Sequence, residues 1–322
     1  MKHLTILVPA GENNLSSIVG TYKLFTRAND YHKKNGQKPV FKIELAGLSK
    51  KVDFYDGLFS AKPHTVVSAI SKTDLIVIPS LNHNISEALK KNKELIAWIA
   101  QQYKGGAEVA SICTGAFLLA ATGLLEGKKC STHWSAADTF RHMFPDVNLQ
   151  PDKLITDENG IYTNGGAYSF LNLLLYLIEK KYDRQTAVMC AKVFQIEMDR
   201  ESQSDFIVFN GQKTHDDEVI KKAQVYIEKN LHEKISVEHL SAKFMVGRRN
   251  FDRRFIKATG NTPAEYAQRV KMEQAKKTLE NTRKTVNEVM YEVGYSDVKA
   301  FREVFRKVTG LSPLVYKGKY GR

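Results

Sequence analysis

The sequence predicts two folded parts of different class: an α/β domain over residues 1–200 and an all-α domain over residues 216–322, joined by a linker at 201–215. Short runs rich in Val and Ile alternate with helical patterns in the first part, whereas one helical unit occurs twice in the last hundred residues. Charge follows the same division. Residues 213–322 carry 24 Lys and Arg against 14 Asp and Glu, which is +10 of the chain's net +13.

The first part is predicted to be flavodoxin-like, with a mainly parallel sheet and helices on both faces, because apolar runs alternate with helical patterns. The predicted strands are Leu4–Val8, Val40–Leu45, Leu75–Ile78 and Val109–Ile112. The predicted helices are Ile85–Tyr103, Ala116–Leu125, Ser135–Phe144 and Tyr168–Lys181. About 200 residues are enough to enclose the core of one such domain.

The C-terminal part contains the same pattern twice, at an offset of fifty residues. It consists of Phe251, Phe255, Lys257, Thr259-Gly260, Thr262-Pro263 and Tyr266, and then of Phe301, Phe305, Lys307, Thr309-Gly310, Ser312-Pro313 and Tyr316. Each copy is predicted to be a helix, a turn and a second helix, and two such units can enter successive major grooves of DNA. A long helix over Ala264–Glu280 would separate them.

The turns are predicted from small residues between the helical patterns. Val246-Gly247 is expected to make the turn of the first unit, and Gly294 that of the second. Helices over 248–258 and 297–308 then follow. In each unit the second helix would begin directly after a tight turn, as in helix-turn-helix motifs.

These two second helices carry basic side chains around their phenylalanines. The basic residues are Arg248, Arg249, Arg253, Arg254 and Lys257 in the first, and Lys299, Arg302, Arg306 and Lys307 in the second. Such a surface releases counterions when it meets the phosphates of a nucleic acid. Runs of Lys and Arg more often form a merely solvated surface, but repetition of the whole unit favours DNA binding.

Residues 216–322 resemble the DNA-binding domain of the AraC/XylS family of bacterial transcription regulators. The matching residues are Leu240, Phe251-x-Arg253-x-Phe255, Gly260-x-Thr262-Pro263-x2-Tyr266, Arg269-x3-Glu273-x-Ala275, Gly294-Tyr295 and the second copy of the repeat. The resemblance implies that DNA is contacted by Arg248, Arg249, Asp252 and Arg253 and by Lys299, Ala300, Arg302, Glu303 and Arg306. Glu303 stands where the family usually shows Arg. RNA polymerase is implied as a partner.

Cys113 is the residue of the first part with possible reactive chemistry. It follows the strand at Val109–Ile112 and precedes Thr114-Gly115-Ala116, which opens a helix. That order is typical of a nucleophile elbow, and a helix N-terminus favours a thiolate. Catalysis would need an aligned general base, for which His133 is the prospect, while Glu12 is a further group expected near the thiol. A purely structural role explains each of these residues equally well. Of the two functional interpretations, catalysis and sensing, we prefer ligand or redox sensing around Cys113.

The first part also resembles the PfpI-like, class I glutamine amidotransferase-like superfamily. The resemblance rests on Ser111–Phe117, on Gly123-Leu124-Leu125-x-Gly127 and on Thr132-His133-Trp134. Within that superfamily, the same residues resemble more specifically the amidase-like sensor domain that precedes AraC-type domains in one subfamily of regulators. That subfamily often has an acidic residue in the first loop, where this chain has Ser16. Relatives that cleave peptides carry His after the nucleophile, where this chain has Thr114. The resemblance therefore implies a sensor, one that often forms a homodimer.

A ligand of this first part is expected in the crevice beyond the carboxyl ends of the parallel strands. Loops at Pro9–Asn14, Pro79–Asn84, Cys113–Gly115, Thr132–Trp134 and Asn164–Tyr168 should converge there. The expected lining residues are Glu12, His83, Cys113, Thr114, His133, Trp134 and Tyr168. This mixture of polar and aromatic side chains suits a small-molecule effector, and Trp134 and Tyr168 would also suit a cationic group.

The cysteines and the apolar runs exclude several classes of protein. Cys113, Cys130 and Cys190 lack metal-ligand spacing, so we expect no metal and no cofactor, and their number fits reduced thiols in a cytoplasm. We expect no signal peptide and no association with a membrane, because no apolar run reaches the roughly 18 residues of a membrane span.

Three classes of function remain open at this point. The first is a transcription regulator that responds to a metabolite. The second is a cysteine-dependent hydrolase or amidotransferase tethered to DNA, which requires a partnership of Cys113 with His133. The third is a general nucleic-acid-coating protein, which the specific turn chemistry of the repeat disfavours.

Overall fold

A computed structural model describes residues 1–82, 84–233 and 235–321 of the chain. It divides into two compact units, Met1–Gln203 and Ser204–Arg322. His83, which we expected to line the ligand crevice, lies outside the described residues. Within those residues, no helix is both long enough and apolar enough to cross a membrane.

The first unit is an α/β fold with a mainly parallel sheet, as predicted. Its strands are β1 Lys2–Val8, β2 Phe41–Gly47, β3 Val52–Phe54, β4 Phe59–Ala61, β5 Thr65–Val66, β6 Leu75–Ile78, β7 Glu108–Ile112, β8 Lys129–Cys130, β9 Asn148–Leu149, β10 Ile155–Glu158 and β11 Ile161–Asn164. Seven of them form one sheet in the order β10-β11-β7-β6-β1-β2-β5. In that sheet β10 is antiparallel to β11, and the other neighbours are parallel.

Helices cover both faces of this sheet. They are α1 Leu15–Lys34, α2 Ile85–Lys91, α3 Lys93–Lys104, α4 Ala116–Ala120, α5 Ala137–Met143, α6 Phe170–Lys181 and α7 Arg184–Phe194. Successive residues of β1 point to opposite faces, so Leu4 and Ile6 join a core with Phe25 of α1, whereas Leu7 joins a core with Trp98 of α3. The predicted strands correspond to β1, β2, β6 and β7.

Two predicted helices differ from the structure, one because it is interrupted and the other because it ends earlier. The helix expected over Ile85–Tyr103 is interrupted at Asn92, which is fully buried. The side-chain amide of Asn92 donates to the carbonyl oxygens of Ala88 at 2.8 Å and of Ala10 at 2.9 Å, which ties the end of α2 to the loop after β1. The helix expected over Ala116–Leu125 ends at Ala120, because the chain turns three residues later at a glycine with positive φ.

The second unit is helical and contains both predicted helix-turn-helix pairs. Its helices are α8 Glu218–Lys229, α9 Val237–Lys243, α10 Arg248–Thr259, α11 Pro263–Asn281, α12 Val286–Glu292, α13 Val298–Thr309 and α14 Pro313–Tyr320. Each pair has its own core. Phe251, Phe255 and Tyr266 belong to the first, and the equivalent Phe301, Phe305 and Tyr316 belong to the second.

The turn of the first pair contains Val246-Gly247, as predicted, because α9 ends at Lys243 and α10 begins at Arg248. The residue with left-handed backbone in this turn is Met245, with φ +53. Gly247 has φ −58 and is the N-cap of α10. Gly294 does make the second turn, with φ +75. The glycine of the first turn does not mark its left-handed position, because glycine occurs both at helix starts and at helix ends.

Candidate nucleic-acid interface and ligand crevice

The first recognition helix, α10, has a basic surface. Of the residues expected to contact DNA, Arg248, Arg249 and Arg253 are exposed and Asp252 is half-buried. A guanidinium nitrogen of Arg248 lies 3.0 Å from the Glu238 carboxylate. Arg253 donates to the Oδ1 of Asn250 at 3.3 Å. Exposed pairs of this kind contribute little to stability, so both guanidinium groups are free to exchange their partners for DNA.

Arg254 lies on the same helix but contacts the protein. Its Nε donates to Asp217 Oδ2 at 2.7 Å and its Nη2 donates to Asp217 Oδ1 at 2.6 Å. The guanidinium beside it holds the pKa of the Asp217 carboxyl below its usual range. The sequence placed Arg254 with the exposed basic residues, whereas the structure places it in a two-pronged ion pair.

The second recognition helix, α13, is less uniformly basic. Lys299, Arg302, Glu303 and Arg306 are exposed and Ala300 is half-buried. Asp297 is the N-cap of α13, and its side chain accepts from the backbone N–H of Ala300 at 2.8 Å. No side chain caps α10 at its N-cap Gly247. The two recognition helices thus differ in the charge they offer to DNA at their first turns.

In the first unit, loops at the carboxyl ends of the parallel strands meet as expected. The backbone N–H of Asn14 donates to the carbonyl of Ser80 at 2.9 Å. The hydroxyl oxygens of Ser80 and Thr114 are 2.9 Å apart, and Thr132 donates its hydroxyl to the carbonyl of Cys113 at 3.0 Å. These bonds join the loops that follow β1, β6, β7 and β8 around Cys113.

Cys113 occupies a sharp turn between β7 and α4. Its backbone has φ +55 and its side chain is buried, which is the strained geometry of a nucleophile elbow. Burial raises the pKa of the Cys113 thiol, while hydrogen bonds with the Ser80 hydroxyl and with Thr114 act in the opposite direction. Burial thus acts against the thiolate that we expected the helix N-terminus to favour. The helix α4 has five residues, and desolvation is the larger effect.

Neither His133 nor Glu12 is joined to the thiol. His133 Nδ1 lies 2.7 Å from the hydroxyl of Ser135, and the Glu12 carboxylate accepts from the backbone N–H of Tyr55 at 2.9 Å. Within the described residues, the hydrogen-bond partners of the Cys113 thiol are Ser80 and Thr114. Burial lowers the pKa of His133 and favours a neutral ring. Among residues 1–82, 84–233 and 235–321, neither of the two predicted groups, His133 and Glu12, is therefore aligned on the sulfur as a base.

Trp134 and Tyr168 follow two of the converging loops. The ring of Trp134 lies 5.3 Å from that of His133, centroid to centroid. Tyr168 is 68% exposed and its ring is 6.3 Å from that of Phe170. The Tyr168 side chain therefore has enough accessible area to pack against a ligand.

Sequence reasoning missed Gln203, which it assigned to a polar linker. Gln203 is 2% exposed, and its Nε2 donates to the carbonyl oxygens of Thr132 at 2.9 Å and Pro151 at 2.7 Å. Its Oε1 accepts from the backbone N–H of Trp134 at 3.3 Å. A Cβ on Gly165 would lie 2.1 Å from Gln203 Nε2, so the glycine leaves room for this amide. Because the residues around Gln203 are polar, the sequence predicted a linker there, whereas Gln203 is buried and holds the loop of His133 and Trp134.

The other two cysteines, Cys130 and Cys190, are buried in the two cores of the first unit. Burial raises the pKa of Cys130 to about 12 and that of Cys190 to about 11. Across residues 1–82, 84–233 and 235–321, no group of three or more His, Cys, Asp or Glu side chains is arranged to hold a metal ion.

Family models match both parts of the chain. The DJ-1/PfpI family model covers residues 25–180, and a helix-turn-helix domain model covers residues 240–319. The chain thus combines an N-terminal DJ-1/PfpI domain with a C-terminal AraC-type helix-turn-helix domain, which confirms the resemblance in both parts.

The chain is also similar to individual proteins of both kinds, transcription regulators and an enzyme. The chain is 25% identical over 222 residues to the HTH-type transcriptional regulator GbdR of Pseudomonas aeruginosa, a match over 69% of this chain and 60% of that protein. It is 29% identical over 128 residues to isonitrile hydratase of Pseudomonas putida, covering 39% and 53%. An AraC family transcriptional regulator from Pseudomonas putida superposes with a TM-score of 0.51 at 16% identity, over 60% of this chain and all of that one, and this likeness concerns the fold.

Proposed function

We propose that the chain is a sequence-specific DNA-binding transcription regulator. The observation that carries the proposal is the pair of helix-turn-helix units, each with a recognition helix that exposes Arg and Lys side chains. The helix α11 between them has 19 residues, a rise of about 28 Å. That length is comparable to the spacing of about 34 Å between successive major grooves on one side of DNA.

Base contacts are assigned to exposed and half-buried residues of both helices. Arg249 and Arg253 can donate bidentately to guanine, and Asp252 can accept from cytosine. In the second helix, Lys299, Ala300 and Glu303 face bases, whereas Arg302 and Arg306 contact phosphates. Glu303 is exposed and carries a negative charge, so we expect the second unit to disfavour guanine where it touches the base edge.

The first unit is proposed to bind a small effector in the crevice around Cys113. The ligand-binding residues are Glu12, Cys113, Thr114, His133, Trp134 and Tyr168. Support comes from the meeting of four loops at this edge of the sheet and from the exposed aromatic ring of Tyr168. We further propose that the first unit forms a homodimer and that RNA polymerase is the partner through which transcription changes.

A cysteine-dependent hydrolase remains the second candidate, because the Cys113 turn is strained and one similar protein is an isonitrile hydratase. Two observations disfavour it. Burial raises the pKa of Cys113, and the ring of His133 is bonded to Ser135 instead of the thiol. A nucleophilic cysteine needs the opposite electrostatics.

A ligand screen separates these functions. Full-length protein is mixed with a metabolite collection, and the shift of its thermal unfolding midpoint is measured for wild type, Cys113→Ser and the control Cys190→Ser. A regulator should show a shift without consumption of the compound, and the shift should change in Cys113→Ser but persist in Cys190→Ser. Consumption of a compound that depends on Cys113 would support the hydrolase instead.

A further inference from the structure

Residues 204–217, most of which the sequence assigned to a linker, lie along the surface of the second unit. Asp205 accepts from the Nζ of Lys319 at 2.7 Å. The backbone N–H of Phe209 donates to the carboxylate of Glu273 at 3.1 Å. These two anchors are on α14 and α11, so the segment begins on the second helix-turn-helix unit and continues along the helix that joins the two.

A buried ion pair fixes the middle of the segment. Lys276 and Glu273 of α11 are only 4% and 7% exposed, and their charged groups lie 2.8 Å apart. The Lys276 ammonium also donates to the carbonyl of Ile207. The ring of Phe209 packs edge-on against Tyr266 at 5.3 Å. A buried charge is tolerated only when its hydrogen bonds are satisfied, so the segment supplies part of what these two charges require.

The segment then reaches the first helix-turn-helix unit. The carbonyl of Gln212 accepts from the side chain of Gln224 at 2.9 Å, and its Oε1 accepts from Asn261 at 2.8 Å. Asp217 ends the segment. Its Oδ1 caps α8 by accepting from the N–H of Ile220 at 3.2 Å, while both of its oxygens receive the fork of Arg254.

The position of Arg254 faces the protein in both units. The residue fifty positions later is Val304, which packs half-buried against the second core. In the first unit the same helical position holds Arg254, whose side chain is 34% exposed and is paired with Asp217, whose side chain is 21% exposed. A planar two-pronged pair of this type fixes the orientation of the guanidinium group relative to the carboxylate, in addition to the attraction between their charges.

We propose that Asp217 and Arg254 are positioning residues, which hold the first recognition helix in the orientation that reads bases while residues 204–217 brace the unit. The inference rests on the proposed DNA-binding function. Without the pair, α10 is held by Phe251 and Phe255 and can rotate about that apolar stripe. The neighbouring Arg253 is then misdirected, although no group that touches DNA has been removed.

The test measures DNA affinity of full-length protein over a range of salt, on a specific site selected by the wild type and on random DNA. Asp217→Asn still caps Ile220 but removes the ionic fork, and Arg254→Gln removes the other partner. Each should weaken specific binding by about fivefold to tenfold, and the double variant should be no weaker than either single one. The slope of log affinity against log salt should not change, because no phosphate contact is lost.

Two controls separate positioning from folding and from charge. Glu218→Gln removes one carboxylate from the same helix end, where it pairs with Lys221, and should leave DNA affinity unchanged. Arg254→Lys keeps the charge but not the fork, and should lie between Arg254→Gln and wild type. An unchanged thermal midpoint in these variants shows that the unit remains folded.

Other outcomes would overturn the inference. If Arg254→Gln lowers the salt slope by about one while Asp217→Asn binds as well as or better than wild type, Arg254 is a phosphate contact. If every variant binds as wild type does, the pair positions nothing. Absence of specific binding by the wild type itself would instead overturn the proposed function, and this inference with it.

Discussion

Met245 and Gly294 occupy the same left-handed position at the end of the first helix in the two helix-turn-helix units, with φ +53 and +75. In both units the next residue donates its N–H back to the helix, at 3.0 and 3.1 Å. Met245 is 95% exposed, so packing gives nothing that offsets its strained backbone. The strain is therefore stored on the surface beside the first recognition helix.

Replacing Met245 by glycine should stabilise the first unit. Left-handed backbone costs an L-residue roughly 1–2 kcal/mol and glycine loses about 0.5–1 kcal/mol in chain entropy, so we expect Met245→Gly to raise the free energy of unfolding by about 0.5–1 kcal/mol. Hydrogen exchange of the α9 and α10 amides in the full-length protein measures this change.

The matched change in the second unit is Gly294→Ala. A Cβ there would lie 2.9 Å from the carbonyl oxygen of Leu231, in addition to the backbone strain. We expect destabilisation of about 1–3 kcal/mol, seen as faster exchange in α12 and α13. Met245→Gly and Gly294→Ala should therefore change the free energy of unfolding in opposite directions. A change in the same direction for both would contradict the equivalence of the two left-handed positions.

Separate cores predict separate losses of stability. Phe255 and Phe305 are both fully buried, in different clusters. Phe255→Ala should cost about 3–5 kcal/mol and reduce exchange protection in α8 to α10, whereas Phe305→Ala should do so in α12 and α13. Loss of protection throughout the second unit from either change would mean that the two pairs unfold together.

Much of this fold could be predicted from the sequence because local patterns determine it. The Val-rich strands and the helices of each copy of the repeat are set by patterns within a few residues, and the structure contains both. Prediction failed where a residue far along the chain decides the outcome. Asn92 ends a helix because it bonds to Ala10, 82 residues away, and no periodicity carries that information.

Cys113 should react slowly with alkylating reagents near neutral pH. Burial raises its pKa above the ordinary thiol value of about 8.5, so the neutral thiol dominates at pH 7. Iodoacetamide labelling followed by peptide mapping should show a rate that rises only above the ordinary thiol range. The unfolded chain is the reference, and Cys130, which is buried and whose pKa is raised to about 12, should also react slowly.

The same shift has a consequence for stability. A thiol whose pKa is higher in the folded state stabilises that state below its unfolded pKa, and this contribution is lost as the pH rises through the folded value. Stability of the first unit should therefore fall in alkaline solution, less so in Cys113→Ser. Rapid labelling at pH 7 would contradict the raised pKa and favour the hydrolase alternative.

Arg253 should contribute specificity more than general affinity. Its side chain is exposed and its partner Asn250 is weakly held, so it is available to a base edge. Arg253→Ala should cost about 1–3 kcal/mol at one base pair and relax the preference there. Binding to a panel of single-base variants of a specific site measures this. An equal loss on random DNA would make Arg253 a phosphate contact.

The candidate site was less predictable than the fold. The loops that converge on Cys113 follow from the order of strands, since parallel strands end at one edge. The partners of each side chain do not follow from it: Glu12 bonds to Tyr55, 43 residues away, and Gln203 returns to Thr132 across 71 residues. Side-chain geometry over such separations is set by packing, and the sequence lists only which groups are present.

The most direct test of the central claim is capture of fragmented genomic DNA by the full-length protein near physiological salt, followed by sequencing, with an Arg249→Ala, Arg253→Ala double variant as the control. A regulator with two recognition helices should recover a few sharp sites that share a two-part motif upstream of genes, and the variant should lose one part of that motif. Diffuse recovery without a motif, equal for both proteins, would contradict sequence-specific regulation.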